Sequence, residues 1–272
     1  MKRSSLLLCG CASIALAVLL GASARADITD GLRAYYPLDG DFLDASGNEL
    51  HGMERGFPAI EFADGKFGQG IVLDGGNQYV EINGGIDGNI VSDLDFVGGS
   101  MSVSAWFRVD SFDTNWQALI AKGEQDAWRL HRRNNEQGLA FNAGGPDTPS
   151  GIAVNDGQIH HVVATSEFGL KKVYIDGVLS AQGQQNPIGP PNTNRNVRIG
   201  DNPSTDNREW EGLIDDVAIW DRALTVDEVA LLWNNGDGTP AGFVIPEPTG
   251  IVLAVIGLLG LGAFGRRRRR RS

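Results

Sequence analysis

The chain has 272 residues, with 34 acidic and 23 basic side chains and a formal net charge of −11. Such a balance excludes a general grip on nucleic acid or on anionic lipid, both of which need an excess of cations. Only two cysteines are present, at positions 9 and 11.

In chain order, the first element is a leader. Met1, Lys2 and Arg3 give a positive start, residues 6–20 are almost wholly apolar, and Ala24-Arg25-Ala26 is a small-x-small site before Asp27. This layout predicts a secretory signal peptide over residues 1–26, in a run short for a permanent anchor. Both cysteines lie within it. The exported remainder then has neither disulfide nor thiol, and its stability rests on its core, which a domain of this size can supply.

Residues 27–237 read as one large β-domain. The stretch MSVSAWFRV (101–109) alternates, with Val103, Ala105, Phe107 and Val109 on one face and Ser102, Ser104, Trp106 and Arg108 on the other. Further short strands are expected at 119–123, 127–131, 138–142, 160–165, 171–175 and 197–201, mostly bounded by Gly, Asn, Asp or Pro. Asp176-Gly177 supplies the turn of a tight hairpin. Thr225-Val226-Asp227-Glu228 is a capping box that opens the one convincing helix, with Val229, Leu232 and Trp233 in it and Gly236 as its stop. Residues 183–208, rich in Asn, Pro and Gly, read as long rim loops around one strand. Residues 238–245 read as a linker. Many short strands with little helix predict an all-β, two-sheet antiparallel jelly-roll sandwich with one short C-terminal helix.

The last 27 residues differ from the rest. Pro246-Glu247-Pro248 leads into 17 uncharged residues, 249–265, and then into six arginines, 266–271, opened by Arg266, Arg267 and Arg268. At about 1.5 Å per residue the apolar run spans roughly 25 Å, the short end of a transmembrane helix. Its glycines are poor filler for a soluble core helix, and the arginines behind it are expected to stay cytoplasmic. Between the two ends, residues 27–245 carry 14 basic and 33 acidic side chains, a net of −19. The arginine block therefore belongs to the tail and makes no nucleic-acid patch.

The order Pro246-Glu247-Pro248, apolar run, arginine cluster resembles the PEP-CTERM protein-sorting signal. The resemblance implies a bacterium with an outer membrane, a precursor held transiently in the inner membrane, processing by an exosortase, and delivery to the cell surface or to an extracellular, biofilm-type matrix.

Seven stretches of the body, in order, resemble the laminin-G-like domains of the concanavalin-A-like jelly-roll superfamily: YYPLDGDFLDASGNELHG (35–52), GIVLDGGNQYVEI (70–82), MSVSAWFRV, LIAKG, IHHVVAT (159–165), VYIDG and EGLIDDVAIWDRALTVDEV (211–229). Ile159 stands where the family usually has Trp, and SEFG (166–169) lacks the usual Asp-Gly. The resemblance implies the jelly roll. It also implies a structural Ca2+ between first and last strands, with Asp39 and Asp215 or Asp216 as candidate ligands, oxygen donors suited to that ion.

Catalytic signals are sparse. The Glu-x-Asp-x-x-Glu arrangement of related β-glucanases does not occur, and Glu209 and Glu211 read as a solvated acidic rim. His160 and His161 are adjacent on a strand and point to opposite faces, so one of them is expected to be packed and hydrogen-bonded. No Gly-x-Ser-x-Gly turn, phosphate loop or zinc spacing appears. Of the six tryptophans, Trp116, Trp128 and Trp210 are the candidates for stacking on sugar, against a general expectation of core packing. The sequence thus predicts an exported, non-catalytic module that binds carbohydrate, as polysaccharide, or a surface protein. The alternative is a glycan-active hydrolase whose active site is not recognisable.

Overall fold

The structure is a computed structural model describing residues 27–82, 92–190 and 195–242. Its first strands are β1 (Leu32–Tyr36), β2 (Gly52–Arg55), β3 (Glu61–Asp64), β4 (Gln69–Asp74) and β5 (Tyr79–Ile82). Next come β6 (Ser100–Val109), β7 (Ala118–Ala121), β8 (Trp128–Arg132), β9 (Leu139–Ala143) and β10 (Thr148–Pro149). The last are β11 (His160–Glu167), β12 (Leu170–Ile175), β13 (Val178–Gln184), β14 (Val197–Ile199) and β15 (Glu211–Trp220), followed by helix α1 (Val226–Trp233). The expected leader (1–26) and the sorting tail (246–272, with Pro246, Glu247, Pro248, Arg266, Arg267 and Arg268) lie outside the described residues. Among the described residues no helix is long and apolar enough to cross a membrane.

The strands form two antiparallel sheets, as the sandwich reading requires. One has the order β13-β12-β11-β6-β15-β4-β3, with β1 also paired to β15, and the other has the order β10-β9-β8-β7-β14-β5-β2. The predicted inward face of β6 (Val103, Ala105, Phe107, Val109) lies in the core between them, with Trp128, Leu130 and Phe141 from the facing sheet. The Asp176-Gly177 hairpin forms as expected, both turn residues having positive φ (51° and 74°).

The outer face of β6 is not open to solvent. Trp106 on it is 2 % exposed, because α1 packs across that sheet and stacks Trp233 on Trp106 with ring centroids 5.5 Å apart. The helix begins where the capping box places it, with the Thr225 side chain and Glu228 each accepting from the other's backbone N–H. Arg222 pairs with the same Glu228 carboxylate at 2.6 Å. The linker expected from residue 238 is, as far as residue 242, part of the domain. Thr239 N–H donates to Leu232 O, Ala241 N–H donates to Asp216, and Ala241 is fully buried against Trp220 and Leu232. Its small side chain fits under the sheet, which a composition-based linker reading does not register.

Strand β15 has two different partners on one edge. β4 pairs with its first half, residues 211–214, and β1 with its second, residues 217–220. Between them the register against β6 shifts, and Asp216 takes a left-handed conformation (φ 49°). This bulge carries the Asp215–Asp216 pair into the gap where β4 and β1 part.

Candidate functional site

The outer face of the smaller sheet is polar, and its alternation explains why. Trp128 and Leu130 of β8 point into the core, so Arg129 and His131, which alternate with them, point outward. Yet both are buried, Arg129 at 4 % exposure and His131 at 0 %. Two loops cover them. The 144–148 loop brings in Asp147, whose Oδ1 lies 3.2 Å from His131 Nε2 and accepts from Asn142 Nδ2 at 3.2 Å and from Arg129 Nη2 at 3.4 Å. Lys171 anchors this loop from below by donating to the carbonyls of Gly144 and Pro146.

The second cover is the loop between β6 and β7, which carries Trp116. Arg132 braces it, donating to Phe112 O at 2.9 Å and to Thr114 O at 2.8 Å. Trp116 adopts φ 67°, a conformation that a bulky residue rarely holds without support. Its half-buried indole lies against His131, with ring centroids 5.6 Å apart and planes 15° from parallel, and the Arg129 guanidinium sits 5.4 Å from the ring centre. Beside it opens a cleft of about 390 Å³ lined by Trp116, Glu124, Gln125, Arg129, Thr205 and Arg208. Glu124 pairs with Arg129 and accepts from Asn202 Nδ2 at 2.7 Å.

Burial disfavours the charged imidazole and pushes the His131 pKa down, and the adjacent Arg129 adds to this. For Asp147 burial acts against the charge, but His131, Arg129 and Asn142 outweigh it and hold the carboxyl well below its usual range. Burial likewise pushes the Lys171 amine down to about 8. Several side-chain atoms on this face meet no hydrogen-bond partner, among them Arg129 Nε, Asn142 Oδ1, Ser204 Oγ and Arg208 Nε. Native folds leave few such atoms unmet, and each asks for a reason. An aromatic plate beside polar donors and acceptors is suited to holding a sugar ring.

Of the three candidate tryptophans, only Trp116 reaches this cleft. Trp128 is fully buried, its indole N–H given to Leu94 O at 2.8 Å, and Trp210 is 1 % exposed between the ring edges of Phe107 and Phe112. Both are core residues and are withdrawn as ligand contacts. Arg129, His131, Asp147 and Arg208 were not singled out from sequence. The alternation of β8 marks its outward residues, but nothing local marks the loops that close over them.

The candidate calcium residues do converge, on the turn between β3 and β4. Asp39 Oδ1 accepts from Gln69 N–H at 2.7 Å, while Asp215 Oδ2 accepts from Lys66 N–H at 2.6 Å and from Phe67 N–H at 3.0 Å. Asp215 Oδ1 is buried with no partner. Asp216 is engaged on both oxygens, by Tyr35 OH at 2.5 Å and Ala241 N–H at 3.3 Å. Burial raises both pKa values, to about 6 for Asp215 and about 7 for Asp216, and the other carboxylates of the cluster add to it. Asp39 and Asp215 therefore keep an oxygen each for a cation, and Asp216 does not. Among the described residues no three His, Cys, Asp or Glu side chains gather around a common point, so backbone oxygens and water would have to complete the shell.

The adjacent histidines divide as alternation requires. His161 is buried, 2.9 Å from Ser104 Oγ and against Trp106, and His160 lies between Asp176 (2.8 Å) and Asp156 (3.0 Å). Glu211 sits at a rim with Asp110 and Asp113; burial and these neighbours raise its pKa.

Comparison with known proteins agrees with this architecture. No curated protein matches the sequence. Among solved structures, domain 4 of AbnA, an extracellular GH43 arabinanase from Geobacillus stearothermophilus solved with arabinotriose, is 24% identical with a TM-score of 0.57. The alignment covers 76% of this chain and 98% of that one. The binding domain of Paraclostridial Mosquitocidal Protein 1 is 17% identical with a TM-score of 0.60, over 77% of this chain and 53% of its own. A structure concerning botulinum neurotoxin type C, whose cell entry depends on two ganglioside molecules, is 16% identical with a TM-score of 0.58, over 76% and 52%. The chain thus spans about half the length of these toxin structures, and at such identities the likeness concerns the fold. The laminin-G-type family profile described as the concanavalin A-like lectin/glucanases superfamily matches residues 74–230, more than half of the chain. By that match, on the two-sheet sandwich described above, the chain belongs to the concanavalin A-like lectin/glucanases superfamily.

Proposed function

We propose that the chain is a non-catalytic carbohydrate-binding module whose site is the Trp116 cleft. The observation that carries this reading is the Trp116 indole, held in a left-handed backbone conformation and set flat on His131 at the edge of a cleft lined by polar side chains. Strain of that kind concentrates at functional positions. Sugar-bound and ganglioside-dependent proteins among the structural neighbours support the ligand class.

The alternative, a glycan hydrolase, needs two carboxyl groups of which one is kept protonated as the acid. Glu124 is the one carboxylate among the cleft-lining residues, and Asp147 behind it is held well below the usual carboxylate range. These features favour binding over cleavage. A glycan-binding screen of the purified chain against its Trp116→Ala variant is the test. Binding is expected for the wild type and lost in the variant. Release of reducing sugar by the wild type, abolished by Glu124→Gln, would replace this reading with the hydrolase.

In the proposed life cycle the module is exported by residues 1–26 and held at the inner membrane by residues 249–265. An exosortase then processes it for the cell surface or matrix. Intact-mass analysis of the exported protein is expected to lack residues 1–26 and Arg266, Arg267 and Arg268; their presence on secreted protein would overturn the sorting proposal. A Ca2+ ion at Asp39 and Asp215 is proposed as a structural cofactor, tying the first strand to the last.

A further inference from the structure

Arg208 is unusual among the described arginines of this acidic protein. Of the ten described arginines, eight have a carboxylate within 4 Å. Arg132 is the ninth, and its guanidinium is spent on three backbone carbonyls as a brace. Arg208 lines the cleft beside Trp116 instead. Its Nη1 donates to Asn207 O at 2.8 Å and, at 3.4 Å, to Asn115 O, while its Nε is buried without a partner. Acidic side chains outnumber basic ones by 19 across residues 27–245, so a guanidinium left without a carboxylate is not explained by scarcity.

The position of Arg208 is fixed. Its carbonyl accepts from Ala118 N–H at 2.7 Å, which ties its loop to the start of β7. Across the cleft, Arg129 is 96 % buried and likewise keeps an unpartnered Nε. Glu124, the acid that would oppose an anion here, is already neutralised by Arg129 and held by Asn202. The lining therefore offers one uncompensated positive charge next to an aromatic plate. A guanidinium fork matches the two oxygens of a carboxylate or sulfate.

We infer that the Trp116 cleft takes an acidic sugar, a ring bearing a carboxylate or a sulfate, and that Arg208 is the residue that selects it. This inference rests on the glycan-binding reading above. The sugar ring stacks on Trp116, and its acidic group meets Arg208.

Titration calorimetry on the purified full chain tests it with three probes of equal length: an oligogalacturonate, a sulfated galactan oligosaccharide and the neutral galactan oligosaccharide. At least one acidic probe is expected to bind about tenfold or more tighter than the neutral one, the scale of one charge-assisted contact. Which acidic probe binds more tightly distinguishes carboxylate from sulfate. Arg208→Gln is expected to lower the acidic probe's affinity to the level of the neutral one. Arg208→Lys, which keeps the charge but loses the fork, is expected to retain part of the preference and gives the reading if the Gln variant does not fold. Equal binding of acidic and neutral probes by the wild type overturns the inference and leaves the glycan-binding reading standing. Failure of all three probes to bind overturns both. A preference undiminished in both Arg208 variants overturns the role of Arg208.

Discussion

Trp116 and His131 lie face to face, the indole resting 5.6 Å from an imidazole that is itself wholly buried. The His131 Nδ1 is 2.7 Å from Arg132 O, so the histidine ring is fixed by its own strand and the tryptophan by the histidine. The site thus depends on a loop residue borrowing rigidity from a sheet.

That arrangement separates stability from binding. At φ 67° any side chain at position 116 is strained, and glycine is not. Trp116→Gly and Trp116→Ala both remove the plate, and both are expected to abolish sugar binding. The glycine variant is expected to be the more stable of the two by about 1 kcal/mol, the cost of a left-handed non-glycine residue, or roughly 2–4 °C in Tm for a domain of this size. Thermal melts of the two variants check this. An alanine variant as stable as the glycine variant would mean that the backbone at 116 relaxes without its ring.

The adjacent histidines should titrate in opposite directions. Hydrogen bonds to Asp176 and Asp156 raise the His160 pKa above its usual 6.5, despite partial burial. Burial drives the His161 pKa down to about 3, with the Lys66 charge also lowering it. The signs follow from linkage. A raised histidine contributes stability that is complete below its unfolded pKa and is lost as pH rises through the folded value. His160 therefore contributes most below pH 6.5. A depressed histidine contributes above its unfolded pKa, so the His161 contribution is lost as pH falls from about 6.5 toward 3. Proton NMR of the two imidazoles is expected to show one ring titrating above 6.5 and one still neutral at pH 4.5. Two rings titrating together near 6.5 would contradict the buried placement of His161. His160→Gln is expected to flatten the change of Tm between pH 6 and 8.

Local pattern made much of this fold legible, and the failures share one physical cause. The β6 alternation identified the core face because core-facing residues on a strand must be apolar in sequence. It did not reveal that Trp106 on the other face is also buried, because the covering helix arrives more than 110 residues later. Trp128 was readable as core, since it alternates with Arg129 and shares a face with Leu130. Trp210 was not, since it sits just before β15 and is buried by Phe107 and Phe112 from distant parts of the chain. Trp116 was identified as a loop aromatic, but Arg129, Asp147 and Arg208 reach it only through strand order and loop packing. Asp39 and Asp215 came through family likeness, and their meeting point, the 65–69 turn, carries no sequence signature of its own.

The calcium proposal yields the sharpest mutational contrast, because the structure separates two adjacent aspartates. Asp215 holds Oδ1 buried and unpartnered, whereas both oxygens of Asp216 are taken by Tyr35 and Ala241. An ion that binds the folded chain and not the unfolded one stabilises by RT ln(1 + [L]/Kd), about 2.7 kcal/mol at a hundredfold excess over Kd. At roughly 2–4 °C per kcal/mol, the expected gain in Tm with calcium is on the order of 5–10 °C. Charge screening also stabilises so acidic a protein, and magnesium at equal ionic strength reproduces screening without supplying an ion suited to a flexible shell of six to eight oxygens. Asp215→Asn is expected to remove the calcium-specific gain. Asp216→Asn is expected to keep it, since that carboxylate serves Tyr35. Equal melting temperatures in calcium, magnesium and chelator would remove the ion and leave Asp39 and Asp215 as clasps on the 65–69 turn, a role their bonds to Gln69, Lys66 and Phe67 already fill.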